Sequence, residues 1–162
     1  MLSFHNESFR LCKNLNLLET KVINILIENM TRAFTLTQDL ITHLDEKSLS
    51  LDLPNLPSNQ IAGQLWCVVG ARESYIKAIE AGEWSGFSCS LKSPRVKQSV
   101  LEALETTSHR LNALEFENLS ERQIKLAFDL LEHEIQHHGQ LIRYVYANEL
   151  TFPESWHKRY TV

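Results

Sequence analysis

The stretch His133-Glu134-Ile135-Gln136-His137-His138-Gly139-Gln140-Leu141-Ile142-Arg143 concentrates more ligand atoms than any other part of the chain. On a helix, His133 and His137 stand one turn apart on the same face, the spacing at which two imidazoles can share one metal ion. The letters also satisfy H-E-x-x-H, which in metalloproteases puts two zinc ligands and a general-base glutamate, here Glu134, on one helix. A zinc peptidase further needs a strand edge to hold the peptide and a downstream third ligand. The sequence offers no clear strand, and Glu154 and His157 follow only beyond Pro153. Glu134 therefore reads as a supporting carboxylate.

Two histidines need a third donor from another element, since a catalytic zinc generally keeps three protein ligands and one open position. Cys67 is the best candidate, at the centre of a row of small residues and Gln64 (Gly63, Gln64, Cys67, Gly70, Ala71, Ser74) along which another helix can approach closely. The competing reading is an unreactive buried cysteine. For His138 and His109 the expectation is hydrogen-bonded core packing.

The elements that must position these residues read as helices. Apolar positions from Leu17 to Leu44 keep a helical period through Val22, Leu26, Met30 and Phe34, although Thr31, Thr35 and Thr37 weaken the middle. Residues 1–16 show no clean period and are expected as an arm or a short helix. After a connection over Asp45–Pro57, Ser58 is expected to cap a second helix running to about Ala81, and Ser93 with Pro94 to open a third running to about Glu117. Ser120 and Gln123 form a capping box for a fourth helix reaching about Asn148. On it Lys125, Asp129, Glu132, Gln136 and Arg143 form a polar wedge. Ile124, Phe128, Leu131, Ile135, His138 and Ile142 mark the middle of the apolar arc, and His133 and His137 its flank.

The short link Asn118–Ser120 predicts that the third and fourth helices are antiparallel neighbours. The link over 82–93 could extend ~40 Å, against ~36 Å for the second helix, and so leaves the second and third helices free to run parallel. The tail over 150–162, with Trp156-His157-Lys158-Arg159-Tyr160, reads as an aromatic plug on one end. The 162 residues are expected to form one helical domain.

Composition narrows the partners. A net charge of -4 with scattered basic residues gives no electrostatic reason to expect nucleic acid or anionic membrane. No apolar run approaches the roughly 20 residues of a membrane span. Three cysteines (Cys12, Cys67, Cys89) without C-x-x-C argue against a disulfide framework and fit a reducing cytoplasm.

Three stretches together resemble the DinB/YfiT-like superfamily of metalloenzymes, over roughly residues 17–160: Ser58 through the second helix, His133 to Tyr144 with its His-x-x-x-His followed by Gly-Gln, and the ending Phe152-Pro153-Glu154-Ser155-Trp156. The resemblance implies an all-α four-helix bundle in up-down-down-up order. It also implies a divalent metal on one histidine from the second helix and two from the fourth. His133 and His137 match the latter pair. Cys67, after Trp66, stands where the family usually has histidine, and a Cys-His-His set favours zinc over harder metals. Relatives of this kind include S-transferases and isomerases that use small thiols.

Two readings of function follow. One is a metal-dependent thiol S-transferase or hydrolase acting on a small molecule, with Cys67, His133 and His137 as ligands and a small thiol as cosubstrate. Arg72, Gln140 and Tyr144 are then candidate substrate-contacting or supporting groups. The other is a non-catalytic bundle, metal-free or structurally metallated, acting through association as a homodimer. A weaker third makes Cys67 or Cys89 a redox-sensing thiol.

Overall fold

The computed structural model describes the backbone of residues 3–162 and side chains from residue 19 onward. Among the described residues it is all-helical, without strands: α1 (Ser3–His43), α2 (Ile61–Ala81), α3 (Lys97–Asn112), α4 (Glu121–Ala147) and α5 (Glu154–Tyr160), with short 3-10 helices at Glu46–Ser50 and Phe116–Asn118. No helix among them is long and apolar enough to cross a membrane.

α1 starts at Ser3, within the stretch expected as an arm or a short helix, and runs unbroken through its threonines as one helix. Once a helix is nucleated each added residue gains a hydrogen bond, so extension does not need an apolar period. The threonines are absorbed differently. Thr35 Oγ1 bonds back to the Thr31 carbonyl at 2.8 Å, whereas Thr37 is fully buried. Cys12 lies outside the described side chains.

Two of the expected caps are used elsewhere. Ser58 Oγ accepts the Leu53 amide at 3.1 Å instead of capping, and α2 starts at Ile61 after an uncapped Gln60. Ser93 closes a turn in which the Val96 amide donates to its carbonyl at 3.1 Å, so α3 opens only at Lys97. The capping box at Ser120 and Gln123 is present in both directions, and α4 ends at the Asn148 cap.

Two clusters of buried side chains make the core. One gathers Leu40, Ile41 and Leu44 of α1, Leu65 and Val68 of α2, Val100 and Leu104 of α3, and Leu141 and Val145 of α4, closed by Trp156 of α5. The other joins Leu26, Met30 and Phe34 of α1, Ile76 and Ile79 of α2, Leu111 of α3 and Ala127 and Leu130 of α4. α2 packs most extensively on α4, α1 on α3 and α4, and α3 on α2.

The expected pairing of α3 with α4 is not among these main contacts. α3 ends at Asn112, earlier than expected, and the link 113–120 turns Phe116 into the second cluster. That leaves enough chain to carry α4 past α3's immediate neighbourhood. α4 also sits rotated from the expected arc. Its buried row runs through Leu130, Glu134, His137 and Leu141, while Phe128 and Ile135, expected near the middle, are exposed, because the face turned to α2 is the one that becomes core.

The small-residue row of α2 receives the loop that follows that helix. Gly70 admits it: a side chain there would collide with Phe87 and Cys89. The same loop is held by Ser74, whose Oγ accepts the Ser88 amide at 2.9 Å and donates to the Ser88 carbonyl at 3.1 Å.

Candidate metal centre

The helical phase of α4 turns His133 and His137 towards α2, the helix it packs on most extensively. The Cys67 thiol meets His133, with Sγ and Nε2 3.7 Å apart. The rings of His133 and His137 are 4.7 Å apart. Ligand atoms of Cys67, His133 and His137 all lie within 4.8 Å of one another, so the three could hold a metal ion. A tetrahedral zinc with ordinary bond lengths would separate sulfur and nitrogen by about 3.6 Å, close to the spacing already present. His137 is buried, whereas Cys67 and His133 are half-buried, so a fourth position can be reached from solvent.

The ring of His137 is held from behind. Its Nδ1 donates to Gln64 Oε1 at 2.8 Å, which leaves Nε2 as the free lone pair. The Gln64 amide in turn donates to Asn59 Oδ1 at 2.5 Å, and the Tyr144 hydroxyl donates to Asn59, to Oδ1 at 3.0 Å and also to the carbonyl. A chain of side chains from Tyr144 through Asn59 and Gln64 thereby fixes one tautomer of one ligand. Tyr144 supports the site from a distance and does not line it.

Electrostatics keep the three donors uncharged without a cation. Burial, with His133 beside it, pushes His137 down to about 4. Burial also lowers His133 and raises the Cys67 thiol. The imidazoles are therefore ready to coordinate at neutral pH, while the thiol must lose its proton to do so.

Glu134 and His138, each the next residue after one of these histidines, are offset by about 100° on the helix and point elsewhere. Both are fully buried. Arg72, equally buried, donates to Glu134 through Nε at 3.0 Å and Nη2 at 2.5 Å. It also reaches the Phe34 carbonyl at 3.4 Å and stacks over the Phe34 ring at 3.6 Å. The Tyr160 hydroxyl meets His138 Nδ1 at 2.6 Å, and His138 Nε2 meets Thr37 Oγ1 at 2.9 Å. Thr37 also bonds the carboxylate of Glu134. One proton on the ring satisfies the whole series: Tyr160 donates to Nδ1, Nε2 donates to Thr37, and Thr37 donates to Glu134. Burial alone would raise the Glu134 carboxyl, but the Arg72 guanidinium and its hydrogen bonds outweigh it and hold it well below the usual carboxylate range.

These contacts decide several of the candidate roles. Glu134 gives both oxygens to Arg72 and is not free to act as the general base of an H-E-x-x-H peptidase. Arg72 is consumed by the same pair and is closed to substrate. His138 is a hydrogen-bonded core residue as expected, while His109 is exposed on α3, 3.7 Å from Glu105. Gln140 is exposed on the turn beyond His137. Cys89 donates to the Trp66 carbonyl at 3.2 Å. Neither Cys67 nor Cys89 is in a disulfide.

Two supporting residues carried a sequence signal that was not used. Gln64 lies three residues before Cys67, on the same face of α2. Thr37 falls at the helical spacing of Met30, Phe34 and Ile41, on the apolar stripe of α1, where a hydroxyl needs a partner.

No family model and no curated protein matches the chain.

Proposed function

We propose that this chain is a divalent-metal-dependent enzyme of the DinB-like kind, acting on a small molecule by thiol S-transfer or hydrolysis, with Cys67, His133 and His137 as ligands. The observation that carries the reading is the convergence of a thiol and two imidazoles from two helices to within 4.8 Å, with Gln64 orienting His137. Structural zinc sites are usually closed by four protein ligands, and three donors, two of them half-buried, suit a catalytic one. Zinc fits this sulfur and nitrogen set best.

When bound, such a metal lowers the pKa of a coordinated thiol or water, so that the nucleophile exists at neutral pH. The chain's own residues orient the ligands and shape the approach. Trp66 packs on Phe87 with ring centroids 5.3 Å apart, and Trp84 on Tyr75 at 4.8 Å. Tyr75 lies 6.3 Å from the His133 ring. This partly exposed aromatic border suits a substrate with an apolar part.

An up-down-down-up four-helix bundle is supported by the two core clusters. The first takes the later half of α1 and α4 but the earlier half of α2 and α3, and the second takes the opposite halves. The order agrees with the link over 82–93 running the length of the molecule.

The deciding experiment is elemental analysis of untagged protein purified without chelator. About one zinc per chain, lost in both Cys67→Ala and His133→Ala, is the expected result and justifies screening thiol transfer and hydrolysis. No metal in wild type even after reconstitution overturns it. The second reading, a homodimer, is favoured by Val22 and Ile25 on α1 and Phe128 and Ile135 on α4, all exposed apolar side chains on two helices that pack together. Sedimentation of a monomer across micromolar concentrations would exclude that reading.

A further inference from the structure

Away from the metal centre, α5 lies against α1 and leaves a groove between them. Arg32, Leu36 and Asp39 of α1 and Ser155, Lys158 and Arg159 of α5 line a cavity of about 370 Å³ there. A smaller one of about 80 Å³ continues past the same Arg32, Leu36 and Arg159 to Ala33, Leu131 and Ile135. The two arginines thus stand at the junction of the two spaces, with Leu36 as the shared apolar floor.

The charges around this junction are unequal. Lys158 is neutralised by Glu154 at 2.7 Å. Among the described residues Arg32 bonds the neutral Asn29 side chain, and Arg159 engages the neutral Tyr160, with its guanidinium 5.7 Å from the ring centre and a hydrogen bond to the hydroxyl. Neither arginine has a carboxylate partner among the described residues. In a chain of net charge -4, carboxylates are in surplus, yet these two guanidinium groups from different helices line one cavity with only neutral partners among the described residues. Ser155 Oγ, on the α5 side, is buried without a hydrogen-bond partner, a state that costs free energy unless something accepts from it. At the far end Asp39 lines the cavity, so an anion is favoured only at the arginine end.

We propose that this groove binds a small free carboxylate with an apolar body. Its head sits between Arg32 and Arg159, which suit planar two-point recognition of a carboxylate, and accepts from Ser155. Its body lies along Leu36 away from Asp39. A bare inorganic anion would leave most of the mainly apolar cavity wall uncovered. The cavity's size falls at the small-ligand end of binding sites, too small for a folded partner. A bound ligand ties α5 to α1 and raises stability by mass action.

Octanoate is the probe, titrated by calorimetry and by amide NMR, with octanol and octyltrimethylammonium as controls. The expected result is saturable one-to-one binding, with shifts centred on Leu36, Ser155 and Arg159, weakened at least about tenfold in R32Q and R159Q and by added salt. Both arginines are exposed, and thermal melts check that the variants fold. Cys67→Ala binds octanoate as wild type does, so failure here and failure of the metal reading are separable. Octanol binding as tightly as octanoate overturns the proposal. So do undiminished binding in R32Q/R159Q, shifts centred elsewhere, no saturation at millimolar octanoate, or capture by phosphatidylserine vesicles without binding of the free acid.

Discussion

Within six residues of α4, His133 and His137 face one way and Glu134 and His138 another, and the two pairs meet opposite fates. Glu134 and His138, both fully buried, enter a network in which Arg72, Thr37 and Tyr160 satisfy them. His133 is half-buried and His137 buried just behind it, the one facing a thiol and the other keeping an open Nε2 lone pair, with their rings against each other. The difference separates structure from chemistry. A polar group whose capacity is filled from inside the protein holds the fold, and one that waits for a partner from outside is where binding can occur.

The largest expected effect breaks the closed network. Arg72→Met strands the Glu134 carboxylate and should cost about 3–5 kcal/mol in urea unfolding, with most of it recovered when Glu134→Leu is added. Cys67→Ala and His133→Ala in metal-free protein should each change stability by no more than about 1 kcal/mol. If the two classes cost the same, the contrast fails.

Next comes the group that links ligand to scaffold. Gln64→Leu removes the acceptor that orients His137 and should weaken zinc by about 10–100-fold in a chelator competition, while the protein stays folded.

The two regions should also separate by pH in metal-free protein. His137 is pushed down to about 4 when folded, against about 6.5 when unfolded. The unfolded chain therefore takes up the proton first, and stability falls as pH drops through that window and levels off below it. His133 shifts the same way, so His137→Gln should shrink this limb without erasing it. Glu134, lowered on folding, contributes stability that is complete above its unfolded value of about 4.3. That contribution is lost only as pH falls towards its depressed folded value. Urea midpoints measured from pH 8 to pH 2 should show one limb above about pH 4 and another below.

The smallest effect is a proton count. With both histidines neutral and the Cys67 thiol raised by burial, zinc binding at pH 7.5 should release about one proton per chain. Calorimetry in buffers of differing ionisation enthalpy reads it, and release of none would mean that the thiol is not a ligand.

Much of the local structure was legible in the residue order. The capping box at Ser120 and Gln123 needs only groups three residues apart, so it could be read without the rest of the molecule. Ser58 and Ser93 looked equally good as caps. Each hydroxyl or carbonyl found a different use because the chain turned sharply beside it, and where a chain turns depends on what it packs against. The rotation of α4, which exposes Phe128 and Ile135, escaped the reading for a related reason. A broad apolar arc does not say which part of it the neighbouring helix will cover.

The sequence by itself determined that the chain is helical and that His133 and His137 share a face, because a helix sets the phase of residues a turn apart through its own hydrogen bonds. Only the tertiary structure decided that Cys67 stands 3.7 Å from His133. The same holds for Gln64 holding His137 and for Arg72 closing on Glu134 where an H-E-x-x-H reading would want a free base. Those pairs are separated by more than sixty residues. Their distances follow from how closely α2 and α4 approach and at what rotation, which is set by the summed packing of both core clusters rather than by any local rule.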